Sequence, residues 1–153
     1  MNVADASSPA RLVCHGEVRV PVAVDEALRL FTPRGEREWA EGWDPAFPGG
    51  NVDDSEPGTV FTTETHGGRQ AIWIVAHRTE RSIRYARAIP GEWAGTVEVR
   101  YEPAGAETLA HVTYDLTVLD DAQRPRLREF AAGYADYMAE WEQELTAALP
   151  RAS

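Results

Sequence analysis

The sequence predicts an α+β fold: a curved antiparallel sheet of six to seven strands wrapped around one long C-terminal helix, with two short helices after the first strand. Three observations carry this. From Leu127 to Leu149 the apolar residues recur every three or four positions (Leu127, Phe130, Ala131, Tyr134, Tyr137, Met138, Trp141, Leu145, Ala148, Leu149). That spacing confines them to an arc of roughly 120° on a helix, with Asp136, Glu140 and Gln143 opposite. Before this helix lies a run of strand-like segments separated by turn signals. Four aromatics on a single helical stripe also need a broad apolar partner, which a curved sheet supplies.

The elements follow in order. Residues 1–10 read as a polar, disordered tail. Leu12 to Val20 alternates loosely and reads as the first strand, ended by Pro21. Asp25 is the expected N-cap of a short helix through Ala27, Leu28 and Phe31, which must stop before Pro33. Pro33 opens a second short helix containing Glu36, Arg37, Trp39 and Ala40, with Gly42 as its stop. Asp44 to Gly58 crowds Asp-Pro, Pro-Gly-Gly, Asp-Asp and Pro-Gly together and reads as a loop, either a lid or disordered. A meander follows: 59–65, a Gly67-Gly68 hairpin, 70–77, 82–88 ended by Pro90-Gly91, 96–102, and 109–119. The first strand, cut off from the others by helices, is expected to pair with the last. A sheet closed in this way meets the helix along only part of its length and leaves room between them. Residues 11–150 therefore read as one domain.

Composition narrows the partners. The 153 residues are 43 % hydrophobic and 26 % charged, and 25 acidic against 15 basic residues give a net charge of −10. Such a surface repels nucleic acid and anionic membranes. Arg124, Arg126 and Arg128 form the one basic cluster, expected to be a solvated face at the start of the last helix. Cys14 is a single cysteine, so no internal disulfide can form, and it is expected to be a small core residue. No secretory signal or membrane-spanning stretch is visible, and the chain is read as cytoplasmic. The histidines (His15, His66, His77, His111) lack metal-ligand spacing, so neither a metal site nor a cofactor is implied. Nucleophile elbow, Walker and dinucleotide motifs are absent.

Strand alternation assigns faces. Val97, Val99 and Tyr101 share one; Ala110, Val112, Tyr114, Leu116 and Val118 share another; and Ile83, Tyr85 and Arg87 are in phase. On 70–77 the pattern alone leaves Ile72 and Ile74 competing with Trp73, Val75 and His77. His77, at a strand end, is either a surface side chain or a pocket acid or base. An inward Arg87 has to find a carboxylate, reach the rim or meet a ligand anion, because an unpaired buried guanidinium is costly. Glu36, Glu38, Glu41 and Asp44 form an acidic cluster that reads as a solvated helix face or, less simply, as carboxylates for acid–base work.

Several segments resemble one known family. LFTPRGEREWAEGWDPAFP at 30–48, Gly58-Thr59-Val60-Phe61, Ala71-Ile72-Trp73-Ile74-Val75, and Ile83-Arg84-Tyr85-Ala86-Arg87 with Pro90 resemble bacterial members of the START/Bet v 1-like (SRPBCC) helix-grip superfamily, in its polyketide-cyclase and heat-shock-ATPase-activator-homologue branch. The resemblance spans about residues 12–149 and implies Trp73 inside. It also implies a cavity, for which Phe31, Trp39, Trp43, Trp73, Tyr85, Arg87, Val99, Tyr101, Tyr114, Tyr134, Tyr137 and Trp141 are the candidate lining, the alternative being that these aromatics simply fill a core.

Three functions compete on this reading. The first is binding of a small hydrophobic or aromatic molecule. The second is an enzyme of the cyclase or aromatase type, for which no catalytic pair is identified. The third is a protein-interaction module with a filled interior. The chain could also pair with a second copy of itself.

Overall fold

The computed structural model describes residues 8–50, 53–65 and 67–149. The expected tail therefore lies largely outside the described residues, as do His66 and part of the 44–58 loop. Six strands form one antiparallel sheet: β1 Arg11–Val20, β2 Val60–Glu64, β3 Gln70–Thr79, β4 Ser82–Ile89, β5 Trp93–Ala104 and β6 Glu107–Val118. Their spatial order is β1-β6-β5-β4-β3-β2, so the first strand pairs with the last, as expected. Helix α1 spans Val24–Leu30, and a 3₁₀ turn follows at Gly35–Glu38. The C-terminal helix is jointed: α2 spans Arg124–Ala132 and α3 spans Tyr134–Ala148.

The joint is Gly133, a weak helix former within the expected helix. Hydrogen bonds from the Gly133 N–H to the Glu129 carbonyl and from the Tyr137 N–H to the Gly133 carbonyl, both 3.0 Å, carry the chain across it. The helix also starts three residues earlier than its apolar stripe, because Arg124 and Arg126 are not a free solvated face. Arg126 pairs at 2.5 Å with Glu92, a buried carboxylate in the β4–β5 turn. Arg124 bonds Asp121 and the Ser8 carbonyl, both at 3.0 Å.

Two other local expectations shift. Ala23, not Asp25, is the N-cap of α1, and Asp25 instead places its charge in the first turn, where the helix dipole favours it. The second short helix is only the 3₁₀ turn, begun two residues after Pro33. The described part of the 44–58 loop is tied down: Ala46 exchanges two 2.9 Å backbone hydrogen bonds with Thr62, and the Asp54 carboxylate accepts from the Arg34 N–H at 2.8 Å.

The inner face of the sheet is built from cross-strand rows. One runs Phe61, Trp73, Arg87, Gly95, Leu116; the next runs Val75, Tyr85, Val97, Tyr114, Cys14. Trp73 and Val75 are buried while Ile74 is exposed, which settles the phase of β3, and a bulge between Val75 and His77 turns His77 out to solvent. Helix α3 crosses this face close to β1, where a Cβ on Gly16 would lie 2.9 Å from the Met138 Cγ. Buried Leu127, Tyr134, Met138, Trp141 and Leu145 form its apolar stripe.

The sheet is most constrained at Gly95. A Cβ there would stand 1.8 Å from the backbone oxygen of Asp115 on the neighbouring strand. Backbone has no rotamer with which to yield, so a side chain at this position forces the strands apart. The substitution Gly95→Ala should therefore destabilise the fold by about 2 kcal/mol or more, a fall in melting temperature of roughly 4–8 °C. Thermal unfolding followed by circular dichroism checks this; an unchanged transition would contradict the close approach.

Candidate functional site

Between the sheet and the C-terminal half of α3 lies a cavity of about 750 Å³. Its floor is the sheet: Trp73, Tyr85, Arg87, Val97, Val99 and Tyr114. One wall is α3, through Tyr137, Glu140, Trp141 and Glu144. The other is the segment after α1, through Glu36, Trp39, Ala40, Glu41 and Trp43, and the end of β2 (Thr63 to Thr65) closes the far side.

The aromatic walls hold one another by edge contacts. Trp39 meets Trp141 at 5.5 Å between centroids, Trp43 meets Trp73 at 5.5 Å, and Tyr137 meets Trp141 at 5.4 Å. Hydrogen bonds fix the rings further. The Trp39 indole N–H donates to the Leu30 carbonyl (2.8 Å), that of Trp43 to the Pro33 carbonyl (2.7 Å), and that of Trp73 to the Thr63 hydroxyl (3.0 Å). The Tyr85 hydroxyl donates to the Phe31 carbonyl at 2.9 Å. The bonds from Trp39, Trp43 and Tyr85 satisfy carbonyls at and just beyond the C-terminal end of α1.

Arg87 finds no carboxylate partner among the described residues. Its guanidinium carbon sits 4.9 Å from the centre of the Trp73 ring, and its Nε is buried without a hydrogen-bond partner. Its neighbour on β5 is Gly95, so no side chain stands beside it on that strand. A donor held this way on the cavity floor is set to meet an acceptor oxygen, since an unmet buried N–H is costly.

Glu36 is the residue that sequence reasoning read as part of a solvated face. Of its neighbours, Glu38 pairs with Arg29, and Glu41 is exposed at the edge of the cavity. Glu36 instead turns into the cavity, half-buried and with no side-chain partner among the described residues; its depth in the protein pushes its carboxyl well above the usual carboxylate range. The signal was present in the spacing. Glu36, Trp39, Ala40 and Trp43 stand at i, i+3, i+4 and i+7, the apolar phase of a helical segment, whereas Glu38 and Glu41 do not.

Of the residues expected to line a cavity, Tyr101, Tyr134 and Phe31 do not. Tyr101 is buried at the far end of β5, where Phe31 is wedged between it and the cavity-lining Trp39 and Trp141. Tyr134 sits in the first turn of α3 over Gly16 of β1, and its hydroxyl donates to the Val112 carbonyl at 2.7 Å. Phe31 itself supports the wall without lining it. The hydroxyls of Tyr114 and Tyr137 lie side by side, and burial raises the Tyr114 phenol well above its ordinary value. Cys14 is buried and its thiol is likewise pushed up, which suits a core residue rather than a nucleophile. Among the described residues no group of three His, Cys, Asp or Glu side chains could hold a metal ion, and no helix is long and apolar enough to cross a membrane.

No protein-family model and no curated protein matches the chain. Solved structures do, over almost its whole length. A START superfamily protein from Mycobacterium smegmatis superposes with a TM-score of 0.66 at 14 % identity, covering 90 % of this chain and 99 % of that one. The chain has the START/Bet v 1-like helix-grip fold. Ginseng major latex-like protein 151 from Panax ginseng shares the helix-grip path at TM-score 0.68 and 13 % identity, over 93 % of this chain and 100 % of its own. So does norcoclaurine synthase from Thalictrum flavum, solved in complex with dopamine and hydroxybenzaldehyde, at TM-score 0.64 and 12 % identity, over 99 % and 95 % of the two chains.

The Glu36 carboxyl makes stability depend on pH with a definite sign. The folded protein holds the Glu36 proton to higher pH than the unfolded chain, whose value is near 4.5. The stability Glu36 allows is fully present below that value and is lost as pH rises through the higher folded value. Glu36→Gln removes this loss, so the variant should melt above the wild type by a margin that widens from pH 4.5 upward. Parallel thermal melts from pH 4 to 8 measure it, and a constant or reversed margin would mean that the carboxyl is solvated.

Proposed function

We propose that this protein binds a small, largely apolar organic molecule with a flat or aromatic body in the cavity between sheet and helix. The observation that carries the reading is the cavity itself. About 750 Å³ falls in the size range of small-molecule sites, and four of the five tryptophans face it. An interaction module would be expected to have a filled or shallow interior here. Rings held by edge contacts and by hydrogen bonds to backbone are preorganised, so little side-chain entropy is lost when a ligand enters.

Arg87 supplies the polar fixing point: its Nε donates to an oxygen of the ligand while the Trp73 face holds the guanidinium in place. The norcoclaurine synthase structure, with aromatic molecules bound to the helix-grip fold, supports an aromatic occupant.

The test is native mass spectrometry of gently purified protein, repeated after exposure to a library of aromatic alcohols, ketones and amines. An added mass that is lost on denaturation is expected. Tyr137 is half-buried and holds no backbone, so Tyr137→Ala should weaken the complex about tenfold or more while lowering the melting temperature by only a few degrees. Equal loss of binding and folding, or no retained mass across the library, would contradict the reading.

A further inference from the structure

We infer that the cavity selects an organic cation, an amine carried on an aromatic body, whose ammonium group is received by the carboxylate of Glu36. This rests on the ligand-binding reading above and goes beyond it by naming the charge of the ligand.

Two independent observations support it. The first is the charge around the cavity: Glu36, Glu41, Glu64, Glu140 and Glu144 face it, against Arg87 as the sole cation among the lining residues. Glu41, Glu64 and Glu140 are exposed and Glu144 is half-buried, so these four ring the approach and draw cations toward it, reinforced by the net charge of −10. Burial first, and then the nearby charges of Glu41 and Glu140, raise the Glu144 carboxyl. An anionic ligand would have to pass these groups to reach one guanidinium already held against Trp73.

The second observation is Glu36 itself. It is half-buried, lines the cavity and has no side-chain partner among the described residues, while nearby Glu26 and Glu38 are both paired with Arg29. A carboxyl set deep in an aromatic-walled cavity and lacking a partner is partly desolvated, and an entering ammonium gives it an ion pair away from bulk water. Trp39 and Tyr85 share the cavity with it, and aromatic rings attract positive charge.

The proton balance is explicit. Whatever fraction of Glu36 carries a proton in the empty protein, an entering ammonium displaces that proton to solvent, and the complex holds carboxylate and ammonium. The other groups around it are Tyr85 and Arg87 on β4, Tyr101 on β5, Tyr114 on β6, Tyr137, Glu140 and Glu144 on α3, and Glu41 in the same segment, with Asp54 and Arg78 beyond Tyr85. Burial raises the Tyr85, Tyr101 and Tyr114 phenols, which stay protonated at neutral pH, and Glu41, Glu64 and Glu140 are in contact with water. Glu144 is raised as well, so loss of the release in Glu36→Gln is what assigns the proton to Glu36.

Titration calorimetry with three matched probes tests this: 2-(2-naphthyl)ethylamine, 2-(2-naphthyl)ethanol and 3-(2-naphthyl)propanoate. At pH 7 the amine should bind about tenfold or more tighter than the alcohol, and the acid weakest. Repeating the amine titration in buffers of different ionisation enthalpy should show a net release of protons, up to about one per ligand. In Glu36→Gln the amine-to-alcohol ratio should fall about tenfold and the proton release should vanish. Alcohol binding equal to or tighter than amine, tightest binding of the acid, or amine preference surviving in Glu36→Gln would overturn the inference while leaving the cavity reading intact. Failure of all three probes would overturn both. The wild-type proton release stands as evidence even if the variant does not fold.

Discussion

The cavity depends on how the chain between α1 and β2 is fastened to the sheet. A helix end leaves carbonyls without partners, and here aromatic side chains supply the donors: Trp39 to Leu30, Tyr85 to Phe31 and Trp43 to Pro33. Each bond is worth about 1 kcal/mol net, but leaving such a carbonyl buried and unmet would cost more. The consequence is geometric. The same bonds that satisfy the backbone stand three large rings on edge around a space instead of letting them collapse into it. Gly35 allows the tight turn that follows, since a Cβ there would lie 1.8 Å from the Arg29 carbonyl oxygen. That turn delivers Glu36 to the interior.

A cavity walled by aromatics and holding one half-buried carboxyl and one guanidinium is a compromise between packing and function. Filling the space with apolar atoms would contribute stability, and replacing Glu36 by an uncharged group would remove a desolvation cost. Neither has happened. Arg87 is tolerated because Trp73 takes its face and Gly95 offers it no rival side chain, yet its Nε is left without an acceptor. Buried polar atoms that lack partners are uncommon in folded proteins, and the Arg87 Nε on this cavity floor is one of them, which is why the proposed ligand is given an acceptor oxygen there.

Most of the architecture was legible because period-2 and period-3.6 patterns are set by burial, and the burial here is orderly. The inward phases of β4, β5 and β6 were readable in Ile83–Tyr85, Val97–Tyr101 and Ala110–Leu116. The joint at Gly133 was not, because α2 and α3 share one apolar stripe across it and the stripe alone does not report a weak link. The bulge after Val75 was hidden for a similar reason, since alternation cannot say where a register slips. Among site residues, aromatics were found by type, and Tyr101 and Tyr134 were misplaced because the phase of a strand or a helix gives the face but not the position along it. Glu36 was read by its charge rather than by its phase with Trp39 and Trp43.

The central claim is that aromatic ligands enter the space between sheet and α3, and the tryptophan indoles report on it directly. Trp39, Trp43 and Trp73 line the cavity with hydrogen-bonded N–H groups, and Trp141 also faces it. Trp93 lies apart from it, beneath Arg126 and against Phe130. In ¹⁵N–¹H spectra of the indole region, titration with an aromatic probe that binds should move the signals of Trp39, Trp43 and Trp73 and leave that of Trp93 in place. Movement of Trp93 alone, or equal small shifts of all five, would place the ligand elsewhere and contradict the account.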